Sequence, residues 1–404
     1  MKSGINITNA VPARRLTVTL CLVLGANAVS IGAFPALLPE MGAAATLADW
    51  QLGAVAGAFG FARMLADVPV GLFITHHLAR ALRLAPLGLL GGALLLASGG
   101  GFLTLLLGRA LMGAGHTLAT LAGLTAILRY RAAAGLASSL AAIELSAMLG
   151  ILAGATLIGL LPRALPWNAA LLVACAPIVP SLLLLPAVVR LLPRDEAGGP
   201  RPLFARSDAG HRSPGGARRL PLAGALAALA GALVAVHYAM VEQFLIPIRG
   251  SRELGLERTG IARLLMIGQS VDITALLPVG ALADRRGARR VLGGVLLTSA
   301  LALALLAYGG LPLMIVGCAL FGLGLAGWTL PLGVLRAVTP ADRVAWRTAL
   351  YRVVVDGGMC LGPLVSGALS ARHARLLPAL LIVALGATGV ALLAGRPARA
   401  AAAV

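Results

Sequence analysis

Long apolar segments separated by short polar ones account for almost the whole chain. Because a membrane-spanning helix needs about 20 apolar residues, the pattern predicts twelve spans. Their predicted ranges are 16–38, 50–74, 84–98, 102–128, 134–161, 167–189, 220–246, 261–282, 291–308, 311–335, 349–369 and 376–393. The predicted fold class is an all-α polytopic membrane protein. Its predicted domains are a six-helix half (1–189), a polar linker rich in Arg, Pro and Gly (190–219), and a second six-helix half (220–404).

The first apolar segment has two possible interpretations. Arg14 and Arg15, an apolar run and the small residues at 26–28 have the order of a signal peptide with a cleavage site. However, the run continues past that site to Leu38, which makes it long enough to cross a membrane. We therefore favour an uncleaved first helix.

Composition supports a membrane protein. Of the 404 residues, 59% are hydrophobic and only 12% are charged, whereas soluble domains carry about 25% charged residues. The net charge of +19 does not indicate nucleic-acid binding here. Most of the arginines lie in short polar segments, and Lys2 is the only lysine. The basic residues concentrate at both termini, in the linker and in the loops after even-numbered helices, which predicts that these parts are cytoplasmic.

The two halves share more than their number of helices. Each has a basic hairpin between its second and third helix, and the fourth helix of each ends in an arginine, Arg129 or Arg336. Parallel repeats of this kind suit a transporter whose halves rock against each other. A channel or an intramembrane enzyme does not need them.

The hairpin at residues 280–290 is the most specific motif. A turn of about eight residues is predicted there, and its pattern is Gly-x-x-x-Asp-Arg-x-Gly-x-Arg-Arg, formed by Gly280, Asp284, Arg285, Gly287, Arg289 and Arg290. The pattern resembles the signature loop of the major facilitator superfamily of transporters. The resemblance implies a loop that latches the cytoplasmic side closed in one state. A loop that only orients the chain in the membrane is the alternative.

The equivalent loop of the first half departs from this pattern. Gly71 is present, but Thr75 replaces the Asp, His76 replaces the Arg, and Leu78 replaces the second Gly. We therefore expect an asymmetric latch that depends on the second half. The histidines are either pH-sensitive or simply solvated.

Two further glycine patterns resemble motifs of the same superfamily. Arg109, Gly113 and Gly115 match a motif associated there with proton coupling, although an Arg that extends to the headgroups is the alternative. Gly358, Gly362 and Pro363 match a motif that marks antiporters when it lies in the fifth helix. Here it lies in the eleventh, so a helix-packing seam is the alternative.

Charged residues inside the predicted spans are candidates for coupling, because charge in hydrocarbon is costly. Arg63 with Asp67, and Arg352 with Asp356, are four residues apart and can pair within a helix. Either pair can instead lock the halves together. The candidates for proton coupling or the substrate cavity are Arg109, His116, Glu144, Asp272, Glu242, Asn27 and Gln269.

Three of these candidates are carboxylic acids, and their surroundings rank them. Glu144 has no partner near it in sequence, and Asp272 lies deep in its span three residues from Gln269. Both are ranked above Glu242, which shares a helical face with Tyr238 but can lie near the outer end. Lone carboxyl groups within a span are candidate proton carriers.

The sequence favours transport over enzymatic function. A phosphate-binding glycine loop needs a lysine next to its glycines, and the only lysine, Lys2, has no such loop before it. The sequence also shows no clustered set of a nucleophile, a base or metal ligands. No cofactor is expected. The leading hypothesis is proton-coupled efflux of a small amphiphilic compound by a monomer, in a bacterial inner membrane because the composition is Arg-rich and Lys-poor. Import or facilitated diffusion of a small metabolite is second, and a non-transport membrane protein is third.

Overall fold

The computed structural model describes residues 10–130, 135–192, 222–340 and 343–394, and these ranges contain helices and no strand. The first half comprises α1 (Ala10–Ala44), α2 (Asp49–Ala97), α3 (Phe102–Tyr130), α4 (Leu136–Leu160), α5 (Trp167–Cys175) and α6 (Ile178–Leu191). The second half comprises α7 (Leu222–Met240), a π-helical turn (Val241–Leu245), α8 (Ile246–Arg252), α9 (Arg258–Arg286), α10 (Ala288–Tyr308), α11 (Leu311–Leu325), α12 (Leu330–Ala337), α13 (Val344–His373) and α14 (Leu376–Ala394).

By length and composition, 11 helical stretches of the described residues can cross a membrane. Three of these stretches each consist of two consecutive helices, namely α5 with α6, α7 with α8, and α11 with α12. The difference from the predicted twelve lies in α2, which is 49 residues long and contains two predicted spans. The count of twelve and the orientation of the termini stay predictions. The predicted linker lies outside the described residues from position 193 onward.

Helix α2 reverses direction at a single residue. His77 has non-helical angles, φ −132° and ψ 40°. Trp50 contacts Phe102 with ring centroids 5.3 Å apart, and Arg129 binds the Thr75 carbonyl oxygen. These contacts, at the two ends of α3, show that α3 runs parallel to the part of α2 before His77.

The part of α2 after His77 runs antiparallel to α3. A Cβ atom on Gly88 would lie 3.4 Å from Gly115, and one on Gly92 would lie 2.6 Å from the side chain of Met112. The two parts of α2 therefore run in opposite directions, and they correspond to predicted spans 50–74 and 84–98. The polar loop predicted between them is wrong, because helix continues on both sides of His77.

The hairpin at residues 280–290 is also tighter than predicted. Helix α9 continues to Arg286, α10 begins at Ala288, and Gly287 alone separates them with φ +91°. The turn of about eight residues was therefore wrong. We call this end of the bundle the hairpin end, and the opposite end, which carries residues 45–48 and 253–257, the distal end.

The two halves meet along two helix pairs, α2 with α13 and α4 with α9. Glycines allow the first pair to pack backbone against backbone. A Cβ atom on Gly53 would lie 2.9 Å from the Cα of Gly367, and one on Gly60 would lie 2.6 Å from the amide nitrogen of Cys360. This close contact, which we call the glycine seal, lies toward the distal end because α2 begins there.

The glycines of the two motifs lie in helix contacts. Gly358 and Gly362 of α13 face α7, and the carbonyl of Pro363 faces Gly53 of α2. In α3, Gly113 lies against Phe59 and Gly115 against the later part of α2. These positions have no room for a larger side chain.

Candidate substrate and coupling site

Three ion pairs join the halves at the distal end. Arg252 Nη1 lies 2.5 Å from Asp49 Oδ1, and Arg258 Nε lies 3.2 Å from Glu40 Oε1. The third pair is Arg163 with Glu257. Arg258 also donates to the carbonyl oxygen of Leu165 at 2.8 Å. Together with the glycine seal, these distal ion pairs close this end of the bundle.

The hairpin end is not closed in the same way. Asp284 is exposed and, within the part of the chain that the structure describes, makes no hydrogen bond or ion pair. Arg289 Nε donates to the carbonyl oxygen of Leu392 in the same half at 2.9 Å. Arg285 and Arg290 are exposed, and a Cβ atom on Gly280 or Gly287 would meet nothing within 4 Å. Within the described residues, Asp284 therefore does not hold the halves together in this conformation.

The equivalent loop of the first half is held within its own half. The Thr75 hydroxyl donates to the Gly71 carbonyl oxygen at 3.0 Å, and Arg129 Nη2 donates to the Thr75 carbonyl oxygen at 3.1 Å. The rings of His76 and His77 lie 6.4 Å apart. Arg129 thus caps the helical segment that ends at the reversal of α2.

The four charged residues of α2 and α13 form crossed ion pairs. Arg63 Nη2 lies 2.9 Å from Asp356 Oδ1, and Arg352 Nε lies 3.5 Å from Asp67 Oδ2. The pairing within each helix that the sequence suggested is not what the structure has. Each arginine reaches the aspartate of the other half, as in the inter-half alternative. We call these four residues the crossed quartet.

Arg109 of α3 is completely buried, so an Arg extending to the headgroups is excluded. Its guanidinium carbon lies 3.7 Å from the ring centroid of Phe34 and 4.5 Å from that of Phe59. Its Nη2 donates to Gln243 Oε1 of the other half at 2.8 Å. Among the residues that the structure describes, its Nε and Nη1 have no hydrogen-bond partner. The aromatic faces stabilise the charge that these two nitrogens leave unpaired.

The partner of Arg109 lies in the π-helical turn. Gln243 Nε2 is 3.3 Å from Glu242 Oε1, and the Tyr238 hydroxyl donates to the same oxygen at 3.2 Å. A polar chain therefore runs from Arg109 through Gln243 and Glu242 to Tyr238, and we call it the central network. Glu242 is buried. Isolated π-helical turns occur frequently at functional sites.

Aromatic rings border the central network. Tyr238 stacks on Phe321 with centroids 6.4 Å apart and contacts Trp328 at 5.6 Å. His237 contacts Phe321 edge-on at 5.3 Å, and the ring of His116 lies 5.5 Å from that of Phe59. The site thus combines charged groups with apolar ring faces.

Glu144 and Asp272 lie on the second helix pair between the halves, α4 with α9. Gln269 Nε2 is 3.5 Å from Asp272 Oδ2, while Asp272 Oδ1 has no hydrogen-bond partner. Asp272 is buried and Glu144 is exposed. Glu144 of the first half and Asp272 of the second therefore lie on facing helices at the contact between the halves.

Asn27 does not join this cluster. Its Oδ1 accepts a hydrogen bond from Ser181 Oγ at 3.0 Å, which joins α1 to α6 inside the first half. Its Nδ2 has no hydrogen-bond partner.

Sequence reasoning missed the residues that hold Arg109. Gln243 was not among the candidates, and neither were Phe34 and Phe59. A signal was available, because only 4% of the residues are aromatic and a buried arginine needs aromatic or polar partners. Which of these aromatic residues lie against Arg109 required the fold.

Comparisons with known proteins agree with this architecture. A family model described as Major Facilitator Superfamily matches residues 222–403. No curated protein has a sequence that matches the chain significantly. The solved structures that match do so at low sequence identity, so they bear on the fold alone.

Three of these structures are transporters. A mutant of the nucleoside transporter NupG has a TM-score of 0.74 at 14% identity, covering 94% of this chain and 99% of that one. A mutant of the peptide transporter POT in complex with sulfate has a TM-score of 0.77 at 13% identity, with 94% and 93% covered. A bacterial homologue of the human lysosomal transporter Spinster, inward-facing and unoccupied, has a TM-score of 0.71 at 15% identity, with 95% and 94% covered.

The resemblance to the major facilitator superfamily is therefore confirmed, by a family model over the second half and by the fold over nearly the whole chain. The chain is a multi-pass membrane protein with the fold of these transporters. The family match of its second half supports a transporter rather than an enzyme.

Proposed function

We propose that the protein is a secondary transporter that works by alternating access and couples proton movement to the export of a small amphiphilic compound. The observation that carries the proposal is the central network, in which Arg109 of one half binds Gln243 of the other beside the Glu242 carboxyl. A binding site shared by two halves is rebuilt whenever the halves rock, which is how such a site becomes accessible from each side in turn.

The predicted topology assigns the two ends of the bundle to the two sides of the membrane. If the hairpin end is cytoplasmic, the distal ion pairs close the outer side and the free Asp284 leaves the inner side unlatched. The conformation is then inward-facing. We place the protein as a monomer in the bacterial inner membrane with both termini cytoplasmic.

Proton coupling rests on the carboxyl groups at the contact between the halves. Glu144 and Asp272 lie on the facing helices α4 and α9, and the buried Glu242 belongs to the central network. Negative charge within membrane spans is costly, so binding a proton relieves a cost that a bound cation also relieves. A proton and a cationic substrate therefore compete for the site, which is the requirement for exchange.

The aromatic rings beside the central network and the exposed carboxylate of Glu144 favour an amphiphilic substrate. Tyr238, Phe321 and Trp328 offer apolar faces beside the charged groups. Import or facilitated diffusion of a small metabolite is the second candidate, which the hydrogen-bonding groups of the central network favour because they suit a polar substrate.

Transport by purified protein in liposomes tests the proposal. Ethidium, a fluorescent amphiphilic cation, is loaded into the vesicles, and its release is followed with and without an imposed pH gradient. We expect gradient-dependent release that Glu144→Gln and Asp272→Asn lower about tenfold or more. Glu253→Gln, which removes an acid paired with Arg249 of its own half, is the control and should leave release unchanged.

The outcomes separate the candidates. Release that does not depend on the pH gradient and is unchanged in Glu144→Gln would contradict the proton-carrier proposal. Uptake of nucleosides or dipeptides without ethidium release favours the importer.

A further inference from the structure

We infer that the groove between α1 and α6 at the hairpin end binds the headgroup of an anionic phospholipid. Its cavity volume is about 670 Å³, and Arg14, Arg15 and Arg190 line it. Among the residues that the structure describes, no acidic side chain lines the groove. This site is separate from the central network and does not depend on the proposed substrate.

The position of the three arginines fits the edge of a membrane. Arg14 begins one candidate span, and Arg190 lies at the end of another, the span formed by α5 and α6. Arginines at the boundary of hydrocarbon and water lie at the level of lipid phosphates. Because α1 and α6 pack against each other, the three charges converge on one groove although they are distant in sequence.

The rest of the groove is apolar except for Thr19, whose hydroxyl donates to the Arg15 carbonyl oxygen at 2.8 Å. Val18, Ala187 and Leu191 line it beside the arginines, and Val18 is 52% exposed. Phosphate needs only the guanidinium groups, which bind it through paired N–H donors. An apolar wall next to those donors suits a ligand with a phosphate and acyl chains, so a phospholipid fits better than a free anion.

Charge decides which phospholipid binds. A groove with three arginines, and with no acidic residue among the described residues that line it, does not favour a zwitterionic headgroup, whose choline would lie beside positive charge. Phosphatidylglycerol or cardiolipin carries net negative charge and has no such conflict. Basic pockets between membrane helices are known to take headgroups of this class.

Native mass spectrometry of the full chain in detergent tests the site. Phosphatidylglycerol and phosphatidylcholine with the same acyl chains are titrated separately, and bound lipids are counted. We expect the first lipid to bind at least tenfold more tightly. Each arginine near such a surface contributes roughly fivefold, so Arg14→Gln, Arg15→Gln and Arg190→Gln together should weaken phosphatidylglycerol by on the order of a hundredfold.

A matched triple variant distinguishes a site from diffuse attraction. Arg80→Gln, Arg83→Gln and Arg336→Gln remove the same charge from exposed positions that do not line the groove, and phosphatidylglycerol binding should stay within about fivefold of the parent. Equal losses in both triple variants would overturn the proposal. If the first triple variant does not fold, Arg190→Gln alone should still weaken binding roughly fivefold.

Two further results would also overturn the assignment. Equal affinity of the parent for the two lipids contradicts charge selection. Inorganic phosphate that protects the parent from thermal unfolding as well as phosphatidylglycerol does, at the same concentration, would make the groove a site for free anions instead.

Discussion

Arg63 and Asp356 belong to opposite halves of the chain and form an ion pair across the contact of α2 with α13, with Nη2 2.9 Å from Oδ1. Asp67 and Arg352 form the second pair in the opposite sense. Each half thus supplies one arginine and one aspartate, spaced four residues apart on one helix. If the helices separate, each arginine can pair with the aspartate of its own helix. We propose that the crossed quartet exchanges partners during transport.

Removal of Arg63 should cost more stability than removal of Arg352. The side chains of the Arg63 pair are 19% and 2% exposed, and those of the Arg352 pair are 39% and 11% exposed. Breaking a buried pair leaves an uncompensated charge and costs roughly 3 kcal/mol, whereas a solvated pair contributes about 1 kcal/mol or less. Thermal unfolding of Arg63→Gln and Arg352→Gln in the same detergent measures this difference.

A double variant in which the two charges of the pair are swapped is the control. Arg63→Asp combined with Asp356→Arg should recover most of the stability that either single change loses. If the double variant is as unstable as the sum of the singles, the two residues do not act as a pair.

Replacement of Arg109 by lysine should impair transport strongly although the charge remains. The guanidinium lies between two phenylalanine rings and donates to Gln243, and an ammonium group cannot reproduce this planar arrangement. We expect ethidium release in liposomes to fall by roughly tenfold or more for Arg109→Lys, since one charge-assisted hydrogen bond contributes about 1.5–3 kcal/mol. Arg336→Lys, at an exposed position, should transport like the parent, and equal activity of both variants would contradict the role given to Arg109.

Two glycines of the hairpin should respond in opposite directions to alanine. Gly287 has φ +91°, so Gly287→Ala forces a side chain into a conformation that costs roughly 1–2 kcal/mol. Gly280 is helical with open space at its Cβ position, so Gly280→Ala should be neutral or stabilise by about 0.5–1 kcal/mol. Thermal unfolding of the two variants measures both signs. A Gly287→Ala variant as stable as the parent would show that the single-residue turn is wrong.

A covalent link at the distal end should stop transport. In a variant without the native cysteines, Asp49→Cys and Arg252→Cys replace partners whose side chains meet across the halves. Because the long arginine side chain spans most of the gap, the two cysteines are too far apart for a direct disulfide, so a bifunctional thiol reagent with a reducible linker is used to bridge them. The bridge should reduce transport to background, and reduction of the linker should restore it. Transport that continues in the cross-linked protein would show that the distal end need not open.

The apolar pattern predicted most of the spans because a membrane leaves a chain few other ways to satisfy its backbone. It failed where polar residues sit inside helices. The prediction placed a loop at Asp284, Arg285 and Arg286 because these residues are charged. However, arginine is a good helix former, and the three residues extend α9 beyond the apolar run. The turn then contracts to Gly287, the residue for which a positive φ costs little.

The contacts of the site were harder to predict than the site residues themselves. The i,i+4 spacing of Arg63 and Asp67 satisfies pairing inside a helix as well as pairing across two helices, so spacing alone cannot choose between them. The role of Gln243 depends on a π-helical turn that brings it to Arg109. Such a turn has no simple sequence pattern, since it arises from the packing of the neighbouring helices.

The glycine seal bears on the speed of the conformational change. Where Gly53 meets Gly367, and where Gly60 meets Cys360, the contact is between backbones rather than between interlocking side chains. Two such surfaces part without any side chain changing its rotamer, so their separation contributes little to the activation barrier. The waiting time between conformations is then governed by the polar contacts between the halves, which are the distal ion pairs, the crossed quartet and the Arg109–Gln243 hydrogen bond. Turnover should rise with ionic strength, which screens the exposed pairs most, until substrate binding weakens.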